Sequence, residues 1–412
     1  MSQSQYIPVI LQIGSRTIKV GFAGDSEPIV TLSTNSFDLK DSQLTPIDSS
    51  HATISDQLSI ASNDDEQGNV LWCYNLINQD MYKLENLLER IITKIYSKHL
   101  LIDSKRCKAV ILESVQLPIQ FKETLTKVLL YHMHVKSISF QLEPIMCCLS
   151  SGSKDGVIVD LSWEQSTVTA IYDLRLLQHL IRFSKRSGRL LHYQLRLKFI
   201  ELGLSFVEDH QMFNFIERFI MKCCYCRDLS ANTEGTKELD EQEQEQDKFE
   251  FEGQTIPNSV RYEVIESVLF RDDFSNRITT TDLDTRTPIQ LVQDVIHGSN
   301  IDLRTPLSQR LIFTGGISDI PGVKQRILKE LQSEAEYNLK FKGLKNLGAW
   351  QGSSLYTAMT LMRSGSSSAD KKLENVHELS RDKYLGSLGQ THTQDHIQVD
   401  DWCEGLYTLK LA

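Results

Sequence analysis

The sequence predicts an α/β protein made of two related halves. Three observations predict it: a Gly-containing strand hairpin that occurs twice, strand and helix patterns that alternate after the first copy, and a length of 412 residues, which suits about two domains rather than one core.

The first hairpin is Val9–Asp25, VILQIGSRTIKVGFAGD. Val9 and Leu11 alternate with their neighbours. Beyond a Gly-Ser turn, Ile18, Val20 and Phe22 do the same, which is the period of a half-buried strand. Gly14 can take a positive φ and bring backbone near a ligand, and Ser15 adds a hydroxyl and an N–H. Such a turn can present amides to phosphate oxygens, with Lys19 as a cation. It can equally be a plain hairpin. The second copy, GVIVDLSWEQSTVTAIYD from Gly156 to Asp173, repeats the strand, the polar turn and the strand. Further on, RLIFTGGISDIPGV carries a buried strand into Gly315-Gly316.

The elements between follow from periodicity. Met81, Leu84, Leu88, Ile91, Ile92 and Ile95 share one helical face. Ala109–Ser114 is a buried strand, Pro118 opens a helix with an apolar stripe of Phe121, Leu125, Val128 and Leu129, and Ile138–Phe140 is a short strand. Pro144 starts a small helix. In the second half, Arg189–Leu204, Met212–Cys223 and Ile289–Ile296 are helical, Leu311–Phe313 is a strand, and Pro321 opens another helix. Leu355–Met362 forms a helix that returns to the first half. The expected division is 1–150 plus 349–412 for the first half and 151–348 for the second.

Three stretches are polar and lack periodicity. Residues 26–69 are rich in Ser, Thr, Asp and Asn, which predicts a loop or a reduced small subdomain. Residues 230–256 form an acidic run, expected to be a solvated insertion or a docking site for a basic partner. Residues 364–412 form an expected mobile tail with Trp402-Cys403 as an apolar anchor.

A formal net charge of −10 argues against a nucleic-acid surface, since phosphate backbones need a basic face. No run reaches the ~18 apolar residues of a membrane span, and MSQSQYIPV has no secretory pattern. Cys223-Cys224-x-Cys226 lacks the second Cys or His pair of a zinc site. The choice is between a metal and reduced thiols in a cytosolic protein.

GFAGD after a Gly-Ser hairpin, IVD with a second hairpin, TGG followed by PG, and WQGS together resemble the actin family in order and spacing. The resemblance implies the actin-like fold shared with sugar kinases and heat-shock ATPases: two lobes with duplicated ribonuclease-H-like halves, with 26–69 as a degenerate subdomain 2. In actin the two hairpins grip the phosphates of ATP, and an Asp in each supports Mg²⁺ and its waters. Asp160 matches the second acid, but Gln12 stands at the first. Where actin has Gly-Asp-Gly, this chain has Ser162-Trp163-Glu164, bulky and with a charge expected to repel phosphate. Arg16 replaces a small residue, and Glu143 stands where actin has the Gln that positions the attacking water. Gly14, Ser15, Lys19, Asp160, Gly315 and Gly316 remain as a vestigial nucleotide pocket. The resemblance thus implies no catalytic residue, no resident metal, and at most weak or static ATP or ADP.

HLLIDSKRCKAVILESVQLPIQFKETLTKVLL and Asp401-Trp402-Cys403 are similar to the pointed-end actin-related proteins of dynactin, the ten/eleven class. That similarity implies a non-catalytic subunit capping the pointed end of dynactin's short actin-like filament and connecting the pointed-end accessory subunits. It would support dynein-driven microtubule transport and nuclear migration in the cytoplasm and cytoskeleton. The implied partners are the filament-forming actin-related protein of dynactin, the accessory subunits and, indirectly, dynein, with no nucleic acid and no membrane insertion. The alternative is a nuclear actin-related subunit of a chromatin-remodelling complex.

Overall fold

The computed structural model describes residues 6–33, 81–204, 209–228, 248–271, 285–335, 339–364 and 378–388. They fall into two compact units that divide between Ser153 and Lys154 and again between Lys345 and Asn346.

The first unit is one six-stranded sheet with helices packed on it. Its strands are β1 (Ile7–Ile13), β2 (Thr17–Phe22), β3 (Val30–Ser33), β4 (Cys107–Glu113) and β5 (Ser137–Leu142), with the short strand Glu378–Ser380 at one edge. β1 pairs antiparallel with β2 and parallel with β4, and β4 runs parallel to β5. Helix α1 (Met81–Lys94) buries Leu84, Leu88, Ile91 and Ile92, the face its periodicity gives; each such side chain contributes about 1.5–3 kcal/mol on leaving water. A π-helical turn, Ile95–Leu100, extends it. Helices α2 (Ile119–Lys127) and α3 (Glu143–Ser150) follow β4 and β5. The interior is not wholly apolar. Lys122 on α2 meets Glu113 at the end of β4 at 2.8 Å, the two side chains 1% and 0% exposed, and its ammonium lies 4.0 Å from the Phe140 ring centre.

The second unit repeats the plan. β6 (Gly156–Leu161) pairs antiparallel with β7 (Ser166–Tyr172) and parallel with β12 (Leu311–Thr314), which runs parallel to β13 (Gly343–Leu344). β8 (Arg175–Leu176) and β9 (Arg182–Ser184) both pair with β7. In both units, then, the first strand has its hairpin partner on one side and two parallel strands on the other. The repeated hairpin in the sequence is the start of a repeated sheet. Around this sheet lie α4 (Gly188–Glu201), α5 (Asp209–Cys223), α6 (Val260–Leu269), α7 (Pro288–Gly298), α8 (Ile301–Ser308) and α9 (Val323–Ser333).

Three expectations need correction. The chain after 364 is not wholly a mobile tail: Glu378–Ser380 pairs antiparallel with β5, and the helix Arg381–Leu388 follows it. Leu379 and Tyr384 pack into the first core, which supplies the apolar burial that composition alone hid. Within the acidic stretch, Lys248–Phe251 and Gln254–Pro257 form the hairpin β10–β11. Phe249 and Phe251 alternate with acids; Phe249 stacks on Phe219 of α5 and Phe251 meets the same ring edge-on. Of 26–69, Val30–Ser33 joins the sheet. The expectations for 34–69, 230–247, Trp402 and Cys403 lie outside the described residues. No helix among the described residues is long and apolar enough to cross a membrane.

Candidate functional site

The residues singled out by sequence lie at the ends of the two hairpins, and each unit carries its own set. In the first, the turn closes by a hydrogen bond from the Gly14 amide to the Thr17 carbonyl, 2.9 Å. Gly14 does not adopt a positive φ. Its requirement is space, since a Cβ there would lie 3.0 Å from the Thr17 carbonyl oxygen. Ser15 and Arg16 are buried in this turn. Lys19 on β2 stands directly opposite Gln12 on β1.

Gln12 does not point alone into the site. Its Nε2 donates to Glu143 Oε1 at 2.8 Å, a charge-assisted bond. Glu143 is the first residue of α3, where the helix dipole favours a carboxylate. Two acids at these positions would repel one another without a cation; an amide facing a carboxylate is satisfied without one. Gln12 Oε1 is buried and has no hydrogen-bond partner among the described residues. That oxygen can accept from a water or a ligand donor but brings no charge to hold a metal.

In the second unit, Asp160 and Gly315 are brought together. Asp160, one residue before the end of β6, pairs with Thr314 of β12. Gly315 follows at φ +86°, and a Cβ on it would lie 2.4 Å from the Leu161 carbonyl and 2.6 Å from Asp160 Oδ1. Only glycine fits, in conformation and in space. Gly316 has open space on its side-chain face. Asp160 accepts a 2.5 Å hydrogen bond from the Ser162 hydroxyl. Its surface is partly accessible, yet it lies deep among protein atoms, and burial pushes its pKa up to about 6 against the opposing pull of Ser162.

The β6–β7 turn is occupied by its own chain. The Trp163 ring packs edge-on to His192 of α4 at 5.5 Å and against Phe213 of α5 at 5.8 Å. Gly188 opens α4 under this ring; a Cβ would meet Trp163 at 3.2 Å. The first amides of α4 are spent on the same turn: Gly188 donates to the Ser162 carbonyl at 3.0 Å and Arg189 to the Trp163 carbonyl at 2.9 Å. The Glu164 charge, expected to repel phosphate, is instead bound by the Arg189 guanidinium, with the two side chains 5% and 12% exposed. The correction is physical: Glu164 serves as an internal ion-pair partner, not a free surface charge. Sequence reasoning missed Gly188 and Arg189. The only available signal was a glycine just before an amphipathic helix.

The residues therefore do not fit a magnesium nucleotide within either unit. In the first, an amide replaces one acid and the remaining carboxylate, Glu143, is bonded to that amide; the second has its turn filled by an indole and the first amides of α4 bonded to that turn. The Cys223–Cys226 segment is likewise committed to structure. The Cys226 amide donates to the Pro321 carbonyl at 2.8 Å, and its thiol lies 3.7 Å from Arg326 Nη1. Burial pushes the Cys226 thiol up to about 11 and raises the Cys224 thiol as well. Among the described residues no group of three His, Cys, Asp or Glu is arranged to hold a metal ion.

Comparison with known proteins agrees with the duplicated α/β fold. The family profile described as actin matches residues 3–213 and 203–364. The Schizosaccharomyces pombe protein named centractin is 22% identical over 363 residues, covering 86% of this chain and 92% of that protein. With the duplicated sheet, the paired hairpins and a family match over most of its length, the chain belongs to the actin family.

Proposed function

We propose that this chain is a non-catalytic actin-related subunit that ends and connects an assembly. The observation that carries the proposal is the β6–β7 turn. Its carbonyls take the first amides of α4, Trp163 fills the space under it, and Glu164 is locked to Arg189. A phosphate-binding turn needs small residues and no opposing charge; this one carries an indole packed on His192 and Phe213 and a carboxylate bound to Arg189. Retained Gly315 and Asp160 serve the sheet end they brace.

The mechanism is geometric. An actin-like subunit offers one end to the next, so a subunit that matches at one end and differs at the other joins once and stops growth. By the resemblance of 99–130 and Asp401-Trp402-Cys403, we place the chain at the pointed end of dynactin's short filament. There it would carry the accessory subunits and support dynein-driven transport from the cytoplasm. The likeness to centractin supports an actin-related assembly of this kind. Affinity purification with mass spectrometry tests the proposal. Reproducible recovery of the filament-forming actin-related protein of dynactin is expected. Recovery with chromatin-remodelling subunits instead contradicts it.

A further inference from the structure

A concentration of charge lies in the first unit, lined by none of the residues of the β1–β2 turn. A cavity of about 350 Å³ is lined by Lys105, His134, Lys136, Arg381 and Asp382. Three segments converge to build it. Lys105 sits in the turn Ser104–Arg106 ahead of β4. His134 and Lys136 lie on the turn into β5, and Arg381 opens the helix Arg381–Leu388. Backbone bonds tie the three together: the Lys136 amide donates to the Cys107 carbonyl at 3.0 Å, and the Arg381 amide to the Lys136 carbonyl at 2.9 Å. His134 holds φ +56°, a conformation that side-chain-bearing residues rarely keep unless their surroundings enforce it. The Ser104 hydroxyl, which donates to the neighbouring Met133 carbonyl, is part of that enforcement.

Arg381 Nε donates to the Leu130 carbonyl at 3.0 Å, and Nη2 lies 3.2 Å from His134 Nδ1. Guanidinium only donates, so His134 Nδ1 accepts and its proton sits on Nε2, a further donor. The lining carries three cations and one carboxylate. Asp382 bonds Lys136 Nζ at 3.0 Å. The nearby Asp103 carboxylate takes the Lys105 backbone amide at 3.1 Å. A surplus of about two positive charges in a chain of net charge −10 calls for a dianion. A carboxylate supplies one charge; a phosphomonoester supplies about 1.5 to 2 at neutral pH. The lining has no aliphatic side chain and no aromatic carbocycle to hold a nucleobase.

We propose that this cavity binds a phosphate group, with Lys105, Lys136, Arg381 and the His134 Nε2–H as its donors and Asp382 as the charge that limits its affinity. The group can come from a small free anion or from a phosphorylated side chain of a partner.

The test uses the full-length protein and calorimetric titration with inorganic pyrophosphate, a phosphoserine peptide and the same peptide unphosphorylated. Two exposed residues are changed, Lys105→Gln and Asp382→Asn. A unit charge about 4 Å away in water is worth about a factor of five. Lys105→Gln should weaken binding about fivefold and Asp382→Asn should tighten it about fivefold, both effects shrinking as salt rises. The gain in the Asp382→Asn protein cannot arise from misfolding. Binding of pyrophosphate but neither peptide supports the free anion as the source. Preference for the phosphopeptide over its unphosphorylated form supports the partner. Failure of both phosphate probes to bind below about 10 mM overturns the proposal, as does binding that is equal in wild type and both variants.

Discussion

Glu164 and Arg189 give the sharpest test of whether the β6–β7 turn is a structural join. The perturbation is Glu164→Leu, which leaves a guanidinium only 12% exposed facing an apolar group. Removing one partner of a buried pair costs about 3–5 kcal/mol because the other charge is stranded. Arg189 keeps some access to water, so the lower end, about 3 kcal/mol, applies. In a domain of about 150–250 residues each kcal/mol moves Tm by about 2–4 °C. The second unit should therefore melt about 6–12 °C lower, as read by scanning calorimetry. The double variant Glu164→Leu/Arg189→Met removes both charges and should recover most of that loss. Were the turn a phosphate loop, Glu164→Leu would be nearly neutral for stability and would raise affinity for ATP. A single variant that melts within about 1 °C of wild type, or a double variant no better than the single, refutes the structural assignment.

Other outcomes follow from the same contacts. Gly315→Ala puts a Cβ 2.4 Å from the Leu161 carbonyl at φ +86°; strain alone accounts for about 1–3 kcal/mol, so urea unfolding should show a loss of at least that size. Asp160 titrates at about 6 in the folded chain against a model-peptide value of 3.8. The folded state then binds more protons across that window, so stability falls as pH rises through it. Asp160→Asn should match wild type below about pH 4, gain on it up to pH 6 and hold the gain above, with a ceiling of about 3 kcal/mol at about 1.4 kcal/mol per unit. Added Mg²⁺ should leave that difference unchanged. Lys122→Met strands Glu113, whose side chain is fully buried, and should cost about 3–5 kcal/mol, most of it restored by Glu113→Leu in the same chain.

Much of the fold could be read from period alone. Val9, Leu11, Ile18 and Val20 alternate along the first hairpin, and all four lie in the core of the first unit. The face Leu84–Leu88–Ile91–Ile92 was equally plain. What composition concealed was burial earned by few residues. Tyr384 and Leu379 suffice to order a polar stretch against β5, and two phenylalanines order a hairpin beside an acidic run. The helix returning to the first unit runs Ala349–Ser364, more than a turn longer at its start than Leu355 suggested. Trp350 and Gly352 begin it because each fills a tight fit: a Cβ on Gly21 would meet the Trp350 ring at 2.7 Å, and one on Gly352 would meet the Met146 carbonyl at 2.0 Å.

The candidate site was legible as residue types and not as contacts. Gln12 and Glu143 each stood out, but only three-dimensional placement puts them 2.8 Å apart, 131 residues from one another in sequence. Trp163 and Glu164 read as obstacles to phosphate. Their partners His192, Phe213 and Arg189 lie 25 to 50 residues onward, on helices whose faces sequence cannot orient toward a turn.

The account stands on hairpins kept for the sheets they start, with Gln12 bonded to Glu143 and Glu164 to Arg189. The direct measurement is the nucleotide content of the purified full-length protein after denaturation, together with phosphate release in ATP and Mg²⁺. The account predicts well under one nucleotide per chain and no magnesium-dependent release. One ATP per chain, hydrolysed over time, contradicts it.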